Sequence, residues 1–543
     1  MIPALRWMVL SILALHGFFV FPGHTYLQSD TQIYVPMFDR IADPTLFTRE
    51  LVAQKQHVSL TIYDELAIAG NKATGIDYEY ILGAIQLATR LAGLYGLYLI
   101  GTAFGLSELA ALMIPAIVGL GAFINGPAVL TFEYEPVPRA FSVMLILLAL
   151  GFAMHGRSQP AAIAAGLAFM FHAPAAVPFF APFVWICWRE KSYRALAILG
   201  GSVALAAVFT FLQAGEVERQ SFLATIDPEW EKLQRMRASY NWLGMWKPWF
   251  IQEFLLHGAL AGAALWRISR HLSVRARFYA ISMTVIGLLS LPLAYVLLER
   301  YKWLLMVQVQ PARSVLYTVL FSLIACTVAG LFALRERRTW FEAPLWFFPP
   351  LLVAIHRFFL DWPYPTLQLN YVLLLVAAAV LTGLLLHLQR FNHHQLVATV
   401  TVVAFVFLAG WTFLHGTKQA NFDTAVHHPE LDDLANWART NTPKDAMFQL
   451  PEFTRSLVAG VFRAKAQRAL YVDWKIGGQV NYSRDLSFEW HRRIQIADQK
   501  DKPLASWRDQ GVNYLILKTA TRFPDPPVYQ NARYAVYNLD PTK

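Results

Sequence analysis

Asp30 is the residue in this chain best placed to do chemistry. It lies in His24-Thr25-Tyr26-Leu27-Gln28-Ser29-Asp30-Thr31-Gln32-Ile33-Tyr34, just beyond an apolar stretch, so its carboxylate stays near a membrane surface. There it can take a proton from an acceptor hydroxyl as general base, or help to hold a divalent cation such as Mg or Mn. Asp30 also reads as the cap of an amphipathic helix from Thr31 to Ile41, with Val35, Phe38 and Ile41 on one face. Glu133-Tyr134-Glu135 places two more carboxylates at i and i+2, suited to acceptor or metal contact, or simply to a solvated loop. Arg139 opens a later apolar segment, and Gln308-Val309-Gln310-Pro311-Ala312-Arg313 opens another. A guanidinium at a membrane boundary suits bidentate phosphate contact, with Gln310 beside it as a further donor, and it equally suits interfacial anchoring. His172, between two short apolar segments, either binds phosphate or packs. Ser/His/Asp triads, P-loops, dinucleotide fingerprints and HExxH motifs are absent. Cys187 and Cys326 lie within apolar segments and form neither a disulfide framework nor a thiolate metal site.

The elements that must position these groups are membrane spans. The chain has 543 residues, 56% hydrophobic and 15% charged, where soluble domains carry about 25% charged residues. Thirteen apolar segments can be read, at 4–22, 81–104, 106–124, 138–154, 159–172, 174–188, 195–213, 249–266, 278–298, 314–334, 343–360, 366–388 and 396–414. Met1 to Phe21 reads as a retained signal anchor. The fifth and sixth segments are short and flank His172-Ala173-Pro174. They read as a hairpin of thin spans or a re-entrant pair. Arg189, Lys191 and Arg194, then Arg267, Arg270, Arg275 and Arg277, then Arg335, Arg337 and Arg338, and lastly Arg390 fall in loops on one side if the segments alternate. Positive-inside orientation makes that side cytoplasmic, together with the N-terminus, and it explains the net charge of +10 better than nucleic-acid binding does.

The loops around 23–80, 125–137 and 214–248 then lie outside, with the tail from about 415. The first of them carries four basic against eight acidic residues. The tail has no run of spanning length. Short strands are predicted at 446–450, 469–472, 514–517 and 534–537, with helices over 431–440 and 489–497. The chain therefore divides into a membrane module, 1–414, and an outer α/β domain, 415–543. Within the tail, Phe462–Arg468, Asp473-Trp474-Lys475 and Glu489–Arg493 mix rings with charges. That composition suits carbohydrate, and also suits an ordinary folded core with surface ion pairs.

The early loop Asp30, the second acidic loop (Glu133, Glu135), the basic span entrance at Arg313 and the soluble tail together resemble the GT-C class of integral-membrane glycosyltransferases. The tail segment Trp437–Ala446, with Arg468 and Asp473-Trp474-Lys475, is similar to tails of uncharacterised bacterial members. The resemblance implies a polytopic α-helical protein of a bacterial inner membrane, acting on its outer face. It would move a sugar, with inversion, from a polyprenyl-phosphate-linked donor to a hydroxyl of a glycan, lipid or protein acceptor. It implies Asp30 as the base, Glu133 and Glu135 in acceptor or metal contact, and Arg139 and Arg313, with His172 and Gln310, about the donor phosphate. Some branches have paired acids in the first loop; here Thr31 follows Asp30, and the need for a metal stays open. A transporter or flippase of lipid-linked saccharides, and a non-catalytic envelope scaffold, are the alternatives.

Overall fold

A computed structural model describes residues 3–19, 22–53, 61–212, 222–336, 341–361, 426–499, 503–521 and 523–539. The segments read at 366–388 and 396–414, Arg337, Arg338 and Arg390, and the division at 414/415 lie outside the described residues.

The N-terminal part is a helical bundle. Its long members are Tyr78–Ala103, Pro138–Met154, Ser158–Arg189, Tyr193–Leu212, Pro248–Arg267, Val274–Ala294 and Val315–Glu336. Among the described residues, four helical stretches are long and apolar enough to cross a bilayer: Ser158–Arg189, Tyr193–Thr210, Val274–Arg300 and Leu305–Glu336. Pro3–Phe19, Glu108–Val118 and Pro138–Met154 are apolar but shorter. Large apolar side chains face outward, among them Val208, Ile281, Leu289 and Trp266. Apolar exposure on this scale suits lipid contact, and the protein is membrane-embedded.

Two segments take forms worth stating. The apolar run 106–124 is not one continuous helix. It breaks into helices Glu108–Ala111 and Met113–Val118, followed by the paired strands Phe123–Ile124 and Val129–Leu130. Glu108–Val118 is shorter than a spanning helix, and Pro115, Gly119 and Gly121 interrupt the run. The helical stretch Ser158–Arg189 folds back on itself at His172, whose backbone is non-helical (φ −157°, ψ 91°). The rings of Phe169 and Phe180 lie 5.5 Å apart, where a straight helix would separate these residues by about 16 Å. Such a fold-back is common to the hairpin of thin spans and to the re-entrant pair.

The turn is held from outside. Ile62 N–H donates to Met170 O (2.9 Å) and Thr61 Oγ1 to Phe171 O (2.7 Å), so carbonyls at the end of the first arm find partners. His172 Nδ1 accepts from the Ala175 amide (3.2 Å), capping the second arm.

The basic loops meet at one end of the bundle. Arg267 pairs with Glu336 (2.9 Å) and Glu342 (2.6 Å), Arg275 with Glu190, and His155 bonds Thr102 (2.9 Å). Asp30, Glu133, Arg139, His172 and Arg313 gather at the other. Between the ends, helices Tyr78–Ala103 and Pro138–Met154 touch backbone to backbone. A Cβ on Gly96 would lie 2.4 Å from the Leu147 carbonyl, so only glycine permits the approach.

The C-terminal part is a small α/β unit. Its sheet runs in the order Ala469–Leu470, Met447–Gln449, Tyr514–Lys518, Tyr534–Asn538, Tyr529–Gln530. The first three strands are parallel; the last two pair antiparallel, with Leu515 opposite Tyr537. Helices Pro429–Asn441, Leu457–Ala466 and Arg484–Ala497 accompany it. The spacing of Leu431, Leu434 and Trp437 predicts the inner face of the first; Leu431 and Leu434 are buried, Trp437 is half-buried and Ala438 is buried beside it, and Trp490 is fully buried in the third. Helix Leu457–Ala466 and strand Tyr529–Gln530 had no clear periodic signal. The basic-aromatic run 462–468 is not a sugar-binding surface: Phe462 and Arg463 are fully buried. Arg463 pairs with Asp473 (2.7 Å), lies 3.8 Å from Glu50, and donates to Gln32 O (2.8 Å). Glu50 also accepts from the Leu470 amide (2.7 Å). Gln32 and Glu50 belong to the loop 23–80, so this ionic cluster clamps the α/β unit onto it.

Candidate functional site

Helix Thr31–Ala42 forms as expected, with Val35 and Phe38 buried, and Asp30 stands at its N-cap position. Yet Asp30 makes no side-chain cap bond. Glu135 does that work from the next loop. Its carboxylate accepts from the amides of Ser29 (2.8 Å), Asp30 (2.8 Å) and Thr31 (3.2 Å), and from Thr31 Oγ1 (2.5 Å). Three free N–H groups and the positive end of the helix are thereby satisfied by one anion. Burial, and then the neighbouring Asp30, push the Glu135 carboxyl above its usual range; the hydrogen bonds act the other way. Removing this cap by Glu135→Ala should destabilise the chain by about 1–3 kcal/mol. It should also lower transfer by letting the 29–31 turn move, while Glu135→Gln keeps part of both. Thermal unfolding and a transfer rate measured on the same preparations check this.

Relieved of capping, the Asp30 carboxylate turns into a cavity of about 360 Å³. There Arg139 Nη1 donates to Oδ2 (2.9 Å) and Lys475 Nζ to Oδ1 (2.8 Å). Burial alone would raise the Asp30 carboxyl. The charges of Lys475 and Arg139 overcome it and hold the group well below the usual carboxylate range. Glu133 holds the other edge of Arg139, accepting from Nε at 2.7 Å.

Polar groups on helix Tyr78–Ala103 keep the two acidic loops together. Arg90 donates to Gly23 O (3.1 Å) and Glu133 O (2.8 Å); Gln86 bonds His24 (2.6 Å) and Glu133 O (3.0 Å). No regular pattern marks Arg90 in the sequence beyond its being a charge inside an apolar run.

Arg313, His172 and Gln310 line the same cavity, together with Arg237, Tyr240 and Tyr482. Gln310 takes a left-handed backbone (φ 50°, ψ 57°) that ends helix Leu305–Val309, and Pro311 restarts the chain as a 3₁₀ turn, Pro311–Ser314. This break places the Arg313 guanidinium over the Tyr240 ring at 5.3 Å. Its Nε is buried and has no protein hydrogen-bond partner, a donor ready for a ligand. The lining thus holds four cations, Arg139, Arg237, Arg313 and Lys475, and one carboxylate, Asp30. Phe171, Pro174, Val177, Leu305 and Val309 form an apolar flank. Val177 on this flank is 48% exposed.

Glu133 and Glu135 do not line the cavity. Each is committed to a guanidinium or to backbone amides, which separates them from the acceptor or metal contact expected for them. Among the described residues no group of three or more His, Cys, Asp or Glu is arranged to hold a metal ion. Asp30, Glu133 and Glu135 are each engaged by protein donors. Lys475 had been read only as part of a ring-and-charge motif, and Arg237 not at all. Asp473-Trp474-Lys475 was visible; its distance from Asp30, more than four hundred residues along the chain, hid the pairing.

Residues 429–497 match a family model described as a domain of unknown function (DUF6798). No curated protein matches the chain. Among solved structures it is similar to ArnT from Cupriavidus metallidurans bound to undecaprenyl phosphate, with 14% identity and a TM-score of 0.43, over 99% of this chain and 97% of that one. It is also similar to an Archaeoglobus fulgidus oligosaccharyltransferase tethered to an acceptor peptide (9%, TM-score 0.43, 95% and 69%). A third is the arabinofuranosyltransferase AftD from Mycobacteria (15%, TM-score 0.46, 98% and 36%). At such identities and scores each is a resemblance, and the assignment of function rests on the residues of the cavity.

Proposed function

We propose that this protein is a membrane glycosyltransferase that moves a sugar from a polyprenyl-phosphate-linked donor to an acceptor hydroxyl, with Asp30 as general base. The observation that carries the reading is one ionised carboxylate facing an excess of cations in a cavity with an apolar flank. In the proposed reaction the acceptor O–H proton passes to Asp30. The acceptor oxygen forms its bond to the anomeric carbon from the face opposite the phosphate. The carbon–oxygen bond to the phosphate breaks, and its electron pair leaves with the polyprenyl phosphate. Arg139 and Arg313 stabilise the charge that develops there, and His172 and Gln310, which line the same cavity, add hydrogen bonds. In-line attack inverts the anomeric centre.

The reading includes thirteen crossings, a cytoplasmic N-terminus, and an outer-face site and α/β domain in a bacterial inner membrane. The gathering of the basic loops at the end opposite Asp30 supports that orientation. Mass spectrometry of lipids that remain with the protein, purified in a mild detergent, tests the donor. A polyprenyl phosphate carrying one sugar is the expected result. Recovery of a large lipid-linked oligosaccharide would replace the transferase with a flippase.

A further inference from the structure

We infer that the 429–497 domain completes the site, its Lys475 pairing with Asp30 at rest and passing to the phosphate of an incoming polyprenyl phosphate. This rests on the transferase reading and assigns that domain a part in it.

The backbone around Lys475 is fixed on every side. The Trp474 amide donates to Thr454 O (2.7 Å), the Asp473 carboxylate accepts from the Ile476 amide (2.7 Å), and Asp473 O accepts from Trp490 Nε1 (3.0 Å). Arg237, itself a cavity residue, donates from Nε to Trp474 O (3.0 Å). Only the four-carbon stem and ammonium of Lys475 are left to move, and a lysine has three rotatable donors rather than a fixed fork. At rest these reach Asp30 Oδ1 (2.8 Å) and Ser29 Oγ (2.7 Å).

A base so tightly paired is a weak one. The same ammonium that keeps Asp30 ionised opposes its taking a proton. A phosphate entering beside Arg313 is a stronger attraction for Lys475 than one carboxylate already shared with Arg139. Transfer of the ammonium to the phosphate adds a ligand to the leaving group and restores basicity to Asp30, so that the base becomes effective only when donor is present.

The test is binding of undecaprenyl phosphate to the full-length chain in detergent, by native mass spectrometry, for wild type, Lys475→Met, Lys475→Arg, Asp30→Asn and the double variant Asp30→Asn/Lys475→Met. Lys475→Met should weaken binding by about tenfold to a hundredfold, and Lys475→Arg by less. Asp30→Asn should tighten it by about threefold or more, because the ammonium is released. That gain should vanish in the double variant. Wild-type binding of undecaprenyl phosphate with Lys475→Met unaffected, or Asp30→Asn tightening binding equally with and without Lys475, would overturn this inference and leave the transferase reading standing. No binding by the wild type beyond that of dodecyl phosphate would overturn both. Lys475→Arg, which keeps the charge, separates loss of the ammonium from loss of fold.

Discussion

Asp30→Asn should lower the rate of sugar transfer by about 10²–10⁴-fold, the range spanned by loss of a general base. The amide keeps the shape of the carboxylate and can still bond Ser29, but it cannot take the acceptor proton. Two cations, Arg139 and Lys475, lose their shared anion. Because the Asp30 side chain is 24% exposed and Arg139 retains Glu133, the loss of stability should be small, about 1–2 kcal/mol rather than the larger penalty of a fully buried pair. The signature is therefore a lost rate in a protein that still unfolds near the wild-type temperature.

The pH dependence has a definite sign. The Asp30 carboxyl is depressed in the folded protein, so its ion pairs contribute fully above the unfolded value of about 4. That contribution is lost only as pH falls through the lower folded value. The wild type should lose stability on acidification below about pH 4 more steeply than Asp30→Asn does. Equal transfer by the two proteins in a working assay would remove Asp30 from the mechanism.

Arg463→Met should be the most destabilising single change at the seam between loop 23–80 and the α/β unit, by about 3–5 kcal/mol. Arg463 is fully buried, as are Asp473 and Glu50. Methionine fills the space but leaves two carboxyl groups facing each other without their cation. Burial already pushes the Glu50 carboxyl up, against the pull of Arg463. A group raised in this way contributes most below about pH 4 and loses that contribution as pH rises through its folded value, so Arg463→Met should suffer most at high pH. Adding Glu50→Gln should recover part of the loss, since a neutral neighbour needs no counter-charge. Thermal unfolding and protease resistance of residues 429–497 in the full-length chain report the effect. An unchanged unfolding temperature in Arg463→Met would mean that other contacts dock the domain. Because Asp473 lies two residues before Lys475, a loosened cluster should also reduce transfer, by moving the ammonium that faces Asp30.

The amino-acid sequence by itself determined the material of this protein. Apolar runs, short basic loops and a charged tail are properties of composition and order along the chain, and they dictate a membrane bundle and a small α/β unit whatever the packing. The periodicity of 431–440 and the strand-forming runs at 514–517 and 534–537 are local, and all three elements form there. Asp30, Arg139, Arg313, His172 and Gln310 were legible for the same reason: a polar residue at the edge of an apolar run has few places to go, and all five meet in one cavity.

Only the tertiary structure decided how each of these groups is used. Capping of helix Thr31–Ala42 was expected of Asp30 and falls to Glu135, a hundred residues away, because the free amides take whichever anion the fold brings to them. Lys475 and Arg237 reach the site from separate elements, and no local pattern couples them to Asp30. Arg463 looked like a surface charge because its counter-ions lie ten and several hundred residues distant. Charges act through space and through the dielectric that burial creates, neither of which is encoded in spacing along the chain. Thus the sequence names the groups able to do the chemistry, while the packing of the α/β unit against the loop 23–80 sets which of them are charged, paired and within reach.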